Sequence, residues 1–263
     1  MLETPIAEPG RRLSIRLAED KIDLLAVQRL RARVFFADMA QVAGTISPEV
    51  LDSDAYDPLC DHLLVEDEDQ VGEARVVGTY RLLRESVART SFGFYSSGEF
   101  DLGPILSGPA RPAGELLELG RSCVLPAYRT SATISLLWRG IADYIARYDI
   151  GLMFGCASFP GIDPDAHAAA LSYLKHYHLA DPASCPRVLA GKGTALERLP
   201  LGSYDERRAM MQLPPLVKGY LRAGARFGDG AYVDVAFNTV DVCVVLPVEL
   251  ISRRYAQRFS VAA

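Results

Sequence analysis

The sequence predicts a mixed α/β layer fold, and three observations carry that reading. Apolar residues recur at helical spacing over residues 19–38 and 131–147. Strand-like runs stand at 62–66, 76–83, 116–124 and 149–158. The first two of these are joined by an acidic turn (Asp67, Glu68, Asp69) with no helix between them, which excludes a wholly parallel, doubly wound sheet.

Taken in order, residues 14–17 alternate like a short strand, and a helix follows over 19–38. Its apolar face is expected from Ile22, Leu25, Val27, Leu30, Val34 and Phe35, interrupted by Arg29, Arg31 and Arg33. Residues 47–61 read as a polar, acid-rich loop leading into the hairpin. Residues 84–114 are rich in Gly, Ser and Pro, with a short helix expected near 96–100. The strand at 116–124 runs into Pro126, and the helix over 131–147 leads to an apolar strand at 149–158. Pro164 is placed to start the next helix, ending near Tyr177. The order over 14–180 is therefore β-α-β-β-loop-β-α-β-α. Beyond it stand a polar linker (180–201), a hairpin signal at Asp229-Gly230, a strand over 242–247 and a basic terminal helix. Domain boundaries are set at 1–12 for a disordered tail, 13–200 for the core and 201–263 for an extension packed on the core sheet or completing it.

Composition narrows the function classes. The 263 residues are 49% apolar and 23% charged, a soluble globular balance. A net charge of −5 argues against nucleic-acid binding driven by a global positive field. Residues 1–12 lack the apolar stretch of a secretory signal, and the longest mostly apolar window, 150–162, falls short of the ~20 residues that span a bilayer. A cytoplasmic protein is expected, with peripheral work at a membrane surface left open. Cys60, Cys123, Cys156, Cys185 and Cys243 are scattered with no C-x-x-C pair, and His176-x-His178 is a weak metal signal, so neither metal nor cofactor is expected. Gly191-Lys192-Gly193-Thr194 lacks the first glycine of a phosphate loop, because Pro186 stands at that position. No G-x-S-x-G is present.

One constellation remains. Arg33-Val34-Phe35 closes the first helix, and Asp52, Asp54 and Asp57 follow on the loop. One strand carries Gly78-Thr79-Tyr80-Arg81-Leu82-Leu83, and another carries Glu118-Leu119-Gly120-Arg121. Glu118 and Arg121 point to opposite faces unless a bulge intervenes. Charges on central strands are costly to bury alone, so they pair with one another or with a substrate. Structural salt bridges and a substrate site explain the pattern equally well.

These runs resemble the acyl-homoserine-lactone synthase branch of the GNAT acyltransferase fold, and within it the bacterial L-ornithine Nα-acyltransferases. Supporting stretches are CDHLLV (60–65), LELGRSCVLPAYR (117–129), LLWRGIADY (136–144), FGCASFPGIDP (154–164), LPPLVKGYLRAGARFGDGA (213–231) and FNTVDVCVVLP (237–247). The resemblance implies a GNAT-like core with helices on both faces of a mixed sheet. It also implies transfer of a 3-hydroxyacyl chain from acyl carrier protein to the α-amine of L-ornithine, giving lyso-ornithine lipid. No resident cofactor is implied; the cosubstrate is a phosphopantetheine thioester, on carrier protein or on coenzyme A. The segment Pro126–Ala132 lacks the glycines of a pyrophosphate loop, which suits a carrier-protein donor better than coenzyme A.

An amine attacks a thioester only when neutral, so the site needs a proton acceptor, and Glu118 is the expected one, with an orienting role as the alternative. Tyr173 is the expected acid for the leaving thiol. Asp54, Asp57, Arg81 and Arg121 are expected to bind the amine substrate, and Cys123, Val124, Leu125, Tyr128 and Arg129 the acyl-pantetheine. Backbone N–H groups around Cys123–Leu125 are expected to stabilise the oxyanion. Arg129 and Arg139 are expected to dock the acidic carrier protein, and the basic stretch 249–258 to lie on anionic lipid. The alternatives are another amine (lysine, glycine or S-adenosylmethionine) or a non-catalytic binding module.

Overall fold

The computed structural model describes residues 6–8, 11–36 and 50–251. They divide into two compact units, each described by itself: the residues up to Val87 with Leu119–Tyr148, and Ala88–Glu118 with the residues from Asp149 on. The division is not sequential, unlike the boundaries expected at 12 and 200.

In the first unit, β1 (Ile6–Glu8), β2 (Arg11–Leu17), β3 (Asp61–Asp67) and β4 (Val76–Arg84) form an antiparallel meander. The expected disordered tail thus holds a short strand at 6–8, and β2 starts at Arg11; residues 1–5 and 9–10 lie outside the described residues. The second half of β6 (Glu115–Val124) is the neighbour of β4, and the Leu125 N–H donates to the Val77 carbonyl at 2.9 Å.

Helix α1 (Lys21–Phe35) starts where Asp20 caps the N–H groups of Ile22 and Asp23. It buries Ala26, Val27 and Leu30 against Leu64, Val76 and Cys123. Its face differs from the expected one: Ile22 is 72% exposed, and Arg31 is fully buried. The cause is electrostatic, since Arg31 turns inward to carboxylates on the following loop. Helix α4 (Ser131–Tyr148) covers the same sheet, with Gly140 directly over Ile15 and Leu63.

Helix α2, a single turn at Glu85–Ala88, belongs to the first unit up to Val87, and the second unit begins at its last residue, Ala88. The second unit's own elements begin with a 3-10 turn at Tyr95–Gly98, β5 (Phe100–Asp101) and α3 (Gly103–Leu106). The first half of β6 runs parallel to β7 (Ile150–Pro160), from Glu115 opposite Ile150 to Glu118 opposite Phe154. β7 pairs antiparallel with β11 (Thr239–Pro247), and β11 with β10 (Arg226–Asp234). Helices α5 (Ala168–His178), α6 (Glu206–Gln212) and α7 (Pro215–Ala223) and the short strands β8 (Arg187–Val188) and β9 (Gly193–Thr194) complete it.

Asp229-Gly230 is not the hairpin turn but lies inside β10, at a register shift between Phe227 and Ala231. Glycine is needed there to admit β8: a Cβ on Gly230 would stand 2.3 Å from a Val188 methyl. The turn itself follows Asp234, whose side chain accepts from the N–H groups of Ala236 and Phe237.

Gly151 opens β7 against the segment before β6, where a Cβ would lie 1.7 Å from the Ala113 carbonyl oxygen. A backbone atom cannot rotate out of the way. Gly151→Ala is therefore expected to destabilise the protein by about 1–3 kcal/mol, read as a lowered midpoint in thermal unfolding; an unchanged midpoint contradicts this packing.

Candidate active site

In the first unit six side chains from four segments meet. The fully buried Arg31 of α1 donates through Nη1 and Nη2 to the two Asp57 oxygens at 3.0 and 2.7 Å, and through Nη2 to the Asp52 carbonyl. Its Nε stands 2.8 Å from Asp52 Oδ2. Arg81 of β4 donates to both oxygens of Asp54 at 2.7 and 2.8 Å and to Asp57 at 3.0 Å. Arg121 of β6 reaches Asp52 and Asp54, each at 3.2 Å. Gln28 adds a bond to Asp57, and His62 Nε2 lies 3.0 Å from the Asp57 carbonyl. Three guanidinium groups thus face three carboxylates in a formally neutral network.

The backbone explains how Arg121 gets there. Its φ of 49° is in the left-handed region, which breaks the alternation of β6. Whether a bulge separates Glu118 from Arg121 was open in the sequence; this residue answers it. Burial acts to raise the Asp57 carboxyl, but the hydrogen bonds and charge of Arg31 outweigh it and hold it at about 2. His62 is also shifted down, chiefly by burial, which favours its neutral form.

The expected pantetheine residues serve other ends. Cys123 is buried against α1, and its thiol is pushed up to about 12 by burial, so it is inert as a nucleophile. Val124 packs over Gly78. The Leu125 N–H is already bonded to Val77, which corrects the expectation that it donates to an oxyanion. The Tyr128 hydroxyl donates to Asp67 at 2.7 Å under the Arg11 guanidinium, and Arg129 donates to the Val124 carbonyl from an exposed position. Arg139 acts on Asp143, one helical turn on, so part of its charge is matched within α4.

In the second unit, Glu118 is buried and accepts from the Tyr95 N–H at 2.8 Å, the Ser96 N–H at 2.7 Å and the Ser96 hydroxyl. Both oxygens are engaged, and Glu118 ties the 95–98 turn to β6. Ser96 also lies 3.5 Å from the Cys156 thiol, which donates to Glu99 at 3.1 Å.

Glu99 opens a feature that the sequence reading missed. It sits with Asp234 of β10 and Asp241 of β11, all three buried, with ligand oxygens within 4.8 Å of one another. Burial, and then the charges of Asp241, Asp234 and Glu118, push Glu99 up to about 7 despite the Cys156 hydrogen bond. The three carboxylates have the spacing to ligate a metal ion. The available signal was an acid inside an apolar run, Asp241 in Val240–Leu246. Tyr173 of α5 stacks with Tyr177 and His178 at ring distances of 5.2 and 5.1 Å.

Residues 30–139 match the model of the acetyltransferase (GNAT) domain. The crystal structure of the AHL synthase LasI superposes with a TM-score of 0.51 at 16% identity, covering 97% of this chain and all of that one, which shows the shared fold. An L-ornithine N(alpha)-acyltransferase of Agrobacterium fabrum is 45% identical over 92% of this chain and 83% of its own length. That of Brucella abortus is 45% identical over 95% and 90%, and that of Rhodobacter capsulatus 39% over 94% of both. With identity of this order along nearly its whole length, this acyltransferase belongs to the L-ornithine N(alpha)-acyltransferase family.

Proposed function

We propose that the chain transfers a 3-hydroxyacyl group from the phosphopantetheine of acyl carrier protein to the α-amine of L-ornithine, giving Nα-acyl ornithine. The amine nitrogen bonds to the thioester carbonyl carbon, the C–S bond breaks, and the nitrogen gives up one proton while the departing sulfur takes one. The observation that carries this reading is the buried Glu99–Asp234–Asp241 group. The attacking α-amine must be neutral, so the group that stays cationic throughout is the side-chain ammonium. Three carboxylates, with Glu99 pushed up to about 7 by burial first and by the charges of Asp241 and Asp234 after it, are a receptor for that ammonium. The amine-binding role expected of Asp54, Asp57, Arg81 and Arg121 passes to this group, because those four are already matched to one another. In this reading they position β4, β6 and the acidic loop. The exposed Arg129 supports a carrier-protein donor through charge complementarity.

Mass spectrometry after incubation with 3-hydroxyacyl carrier protein and a mixture of amino acids tests the reaction. Acyl-ornithine with release of holo carrier protein is expected; acylated glycine in equal yield rules out a receptor for the side-chain ammonium.

Ornithine binding deprotonates Glu99, so affinity is expected to rise as pH climbs through about 7. Glu99→Gln should weaken ornithine binding about 10- to 100-fold and flatten that pH dependence in calorimetry, with the thioester KM unmoved. Unchanged binding in EDTA separates the ammonium from a metal ion. A variant that keeps the wild-type pH profile contradicts the assignment.

Glu118→Gln turns an amide NH2 toward donors that now find carboxylate oxygens. It is expected to cost about 1–3 kcal/mol of stability along with turnover. Wild-type thermal stability combined with lost turnover would return Glu118 to the role of base.

A further inference from the structure

The sequence between residues 205 and 226 has a charge unlike the rest of the chain: Arg207, Arg208, Lys218, Arg222 and Arg226 against Asp205 and Glu206, within a total of −5. Both acids are locally engaged. Asp205 caps α6 by accepting from the Arg208 N–H, and Glu206 accepts from the Tyr177 hydroxyl.

Helix α6 buries one side chain, Ala209. At about 100° per residue, Arg207 and Met211 stand about 160° and 200° from Ala209, with Met210 and Arg208 about 100° to either side. Around the outward face the order is therefore Met210, Arg207, Met211, Arg208, methionine and arginine alternating. Met211 is 71% exposed and Met210 46%, and Leu201 on the preceding loop is 63% exposed. Lys218 of α7 folds back to the Met211 carbonyl at 2.6 Å, bringing a further cation to the end of this helix. Long apolar side chains flanked by guanidinium groups suit an interface where the former enter the acyl region and the latter stay with phosphate.

We propose that the outward face of α6, with Lys218, docks the protein on an anionic lipid surface. The inference rests on the acyl-ornithine reading in one respect: an amphiphilic product needs a membrane to enter. The occupant is lipid rather than an acidic protein because the face presents two exposed, unbranched methionines, able to enter a fluid layer without a shaped groove. Each basic residue at such a surface is worth about fivefold in partition.

The test is sedimentation of the full-length protein with phosphatidylcholine vesicles, with and without about one-third phosphatidylglycerol. Binding only to the anionic vesicles, weakened by salt, is expected. The double variant Arg207→Glu, Arg208→Glu should lose about 25-fold or more in partition, and Met210→Ser with Met211→Ser should lose binding while keeping its salt dependence. Acyl transfer to ornithine in detergent-free solution is measured on the same variants and should match the wild type, so failure of docking and failure of the proposed reaction are read separately. Wild-type partition in both variants overturns the proposal. Loss of holo carrier-protein binding in the arginine variant, with vesicle binding intact, also overturns it and makes the face a protein dock. Loss of vesicle binding on truncation after Ile251, with both variants unaffected, would place the contact in the terminal segment instead.

Discussion

A guanidinium with no exposure to water is the constraint on which the first unit is built. Arg31 on an otherwise apolar helix face costs several kcal/mol to desolvate unless charge and hydrogen bonds are supplied in return. Asp52 and Asp57 supply them from a loop whose described residues hold, besides irregular chain, only a 3-10 turn at Asp57–Leu59. The loop is thereby fixed to α1, and Asp54, two residues along, is brought to Arg81 and Arg121. The left-handed turn at Arg121 belongs to the same accounting, since the strain of one residue is offset by two ion pairs. Removing one member leaves a buried charge without its match, so these residues stand or fall together.

The second unit solves the opposite problem. Its buried acids are not balanced in the same way: Glu118 is satisfied by backbone N–H groups and a hydroxyl, whereas Glu99, Asp234 and Asp241 crowd one another. In the proposed reaction the neutral network acts as a scaffold, and the three close acids act as a receptor matched to the substrate group that must remain cationic.

Much of this fold was legible in the residues. The order of strands and helices to residue 180 follows from periodicity, because hydrophobic spacing reports local geometry directly. The segment after 180 was poorly read: β8 and β9 are two-residue strands with no period to detect, and Asp229-Gly230 resembles a turn although its glycines serve close strand packing. At the site, the Arg and Asp residues stood out as charges in or beside apolar segments, but their partners depend on tertiary contacts that spacing does not encode. Arg31 was read as an interruption of an apolar face, when it is the centre of one. Glu99 is far in sequence from Asp234 and Asp241, and only Asp241, inside an apolar run, carried a sequence signal. The stretch 249–258, read as a basic helix, lies largely outside the described residues, with only a 3-10 turn at Val248–Leu250 and Ile251 within them.

The crowding of the three acids also bears on how substitutions act. A neutral network of mutually dependent pairs resists single changes, because each substitution strands a partner. Like charges in contact behave differently: converting one of Glu99, Asp234 or Asp241 to an amide relieves repulsion at the same time as it alters the receptor. If these acids hold the amine as proposed, its preference is set at positions where a single amide substitution relieves repulsion instead of stranding a buried partner.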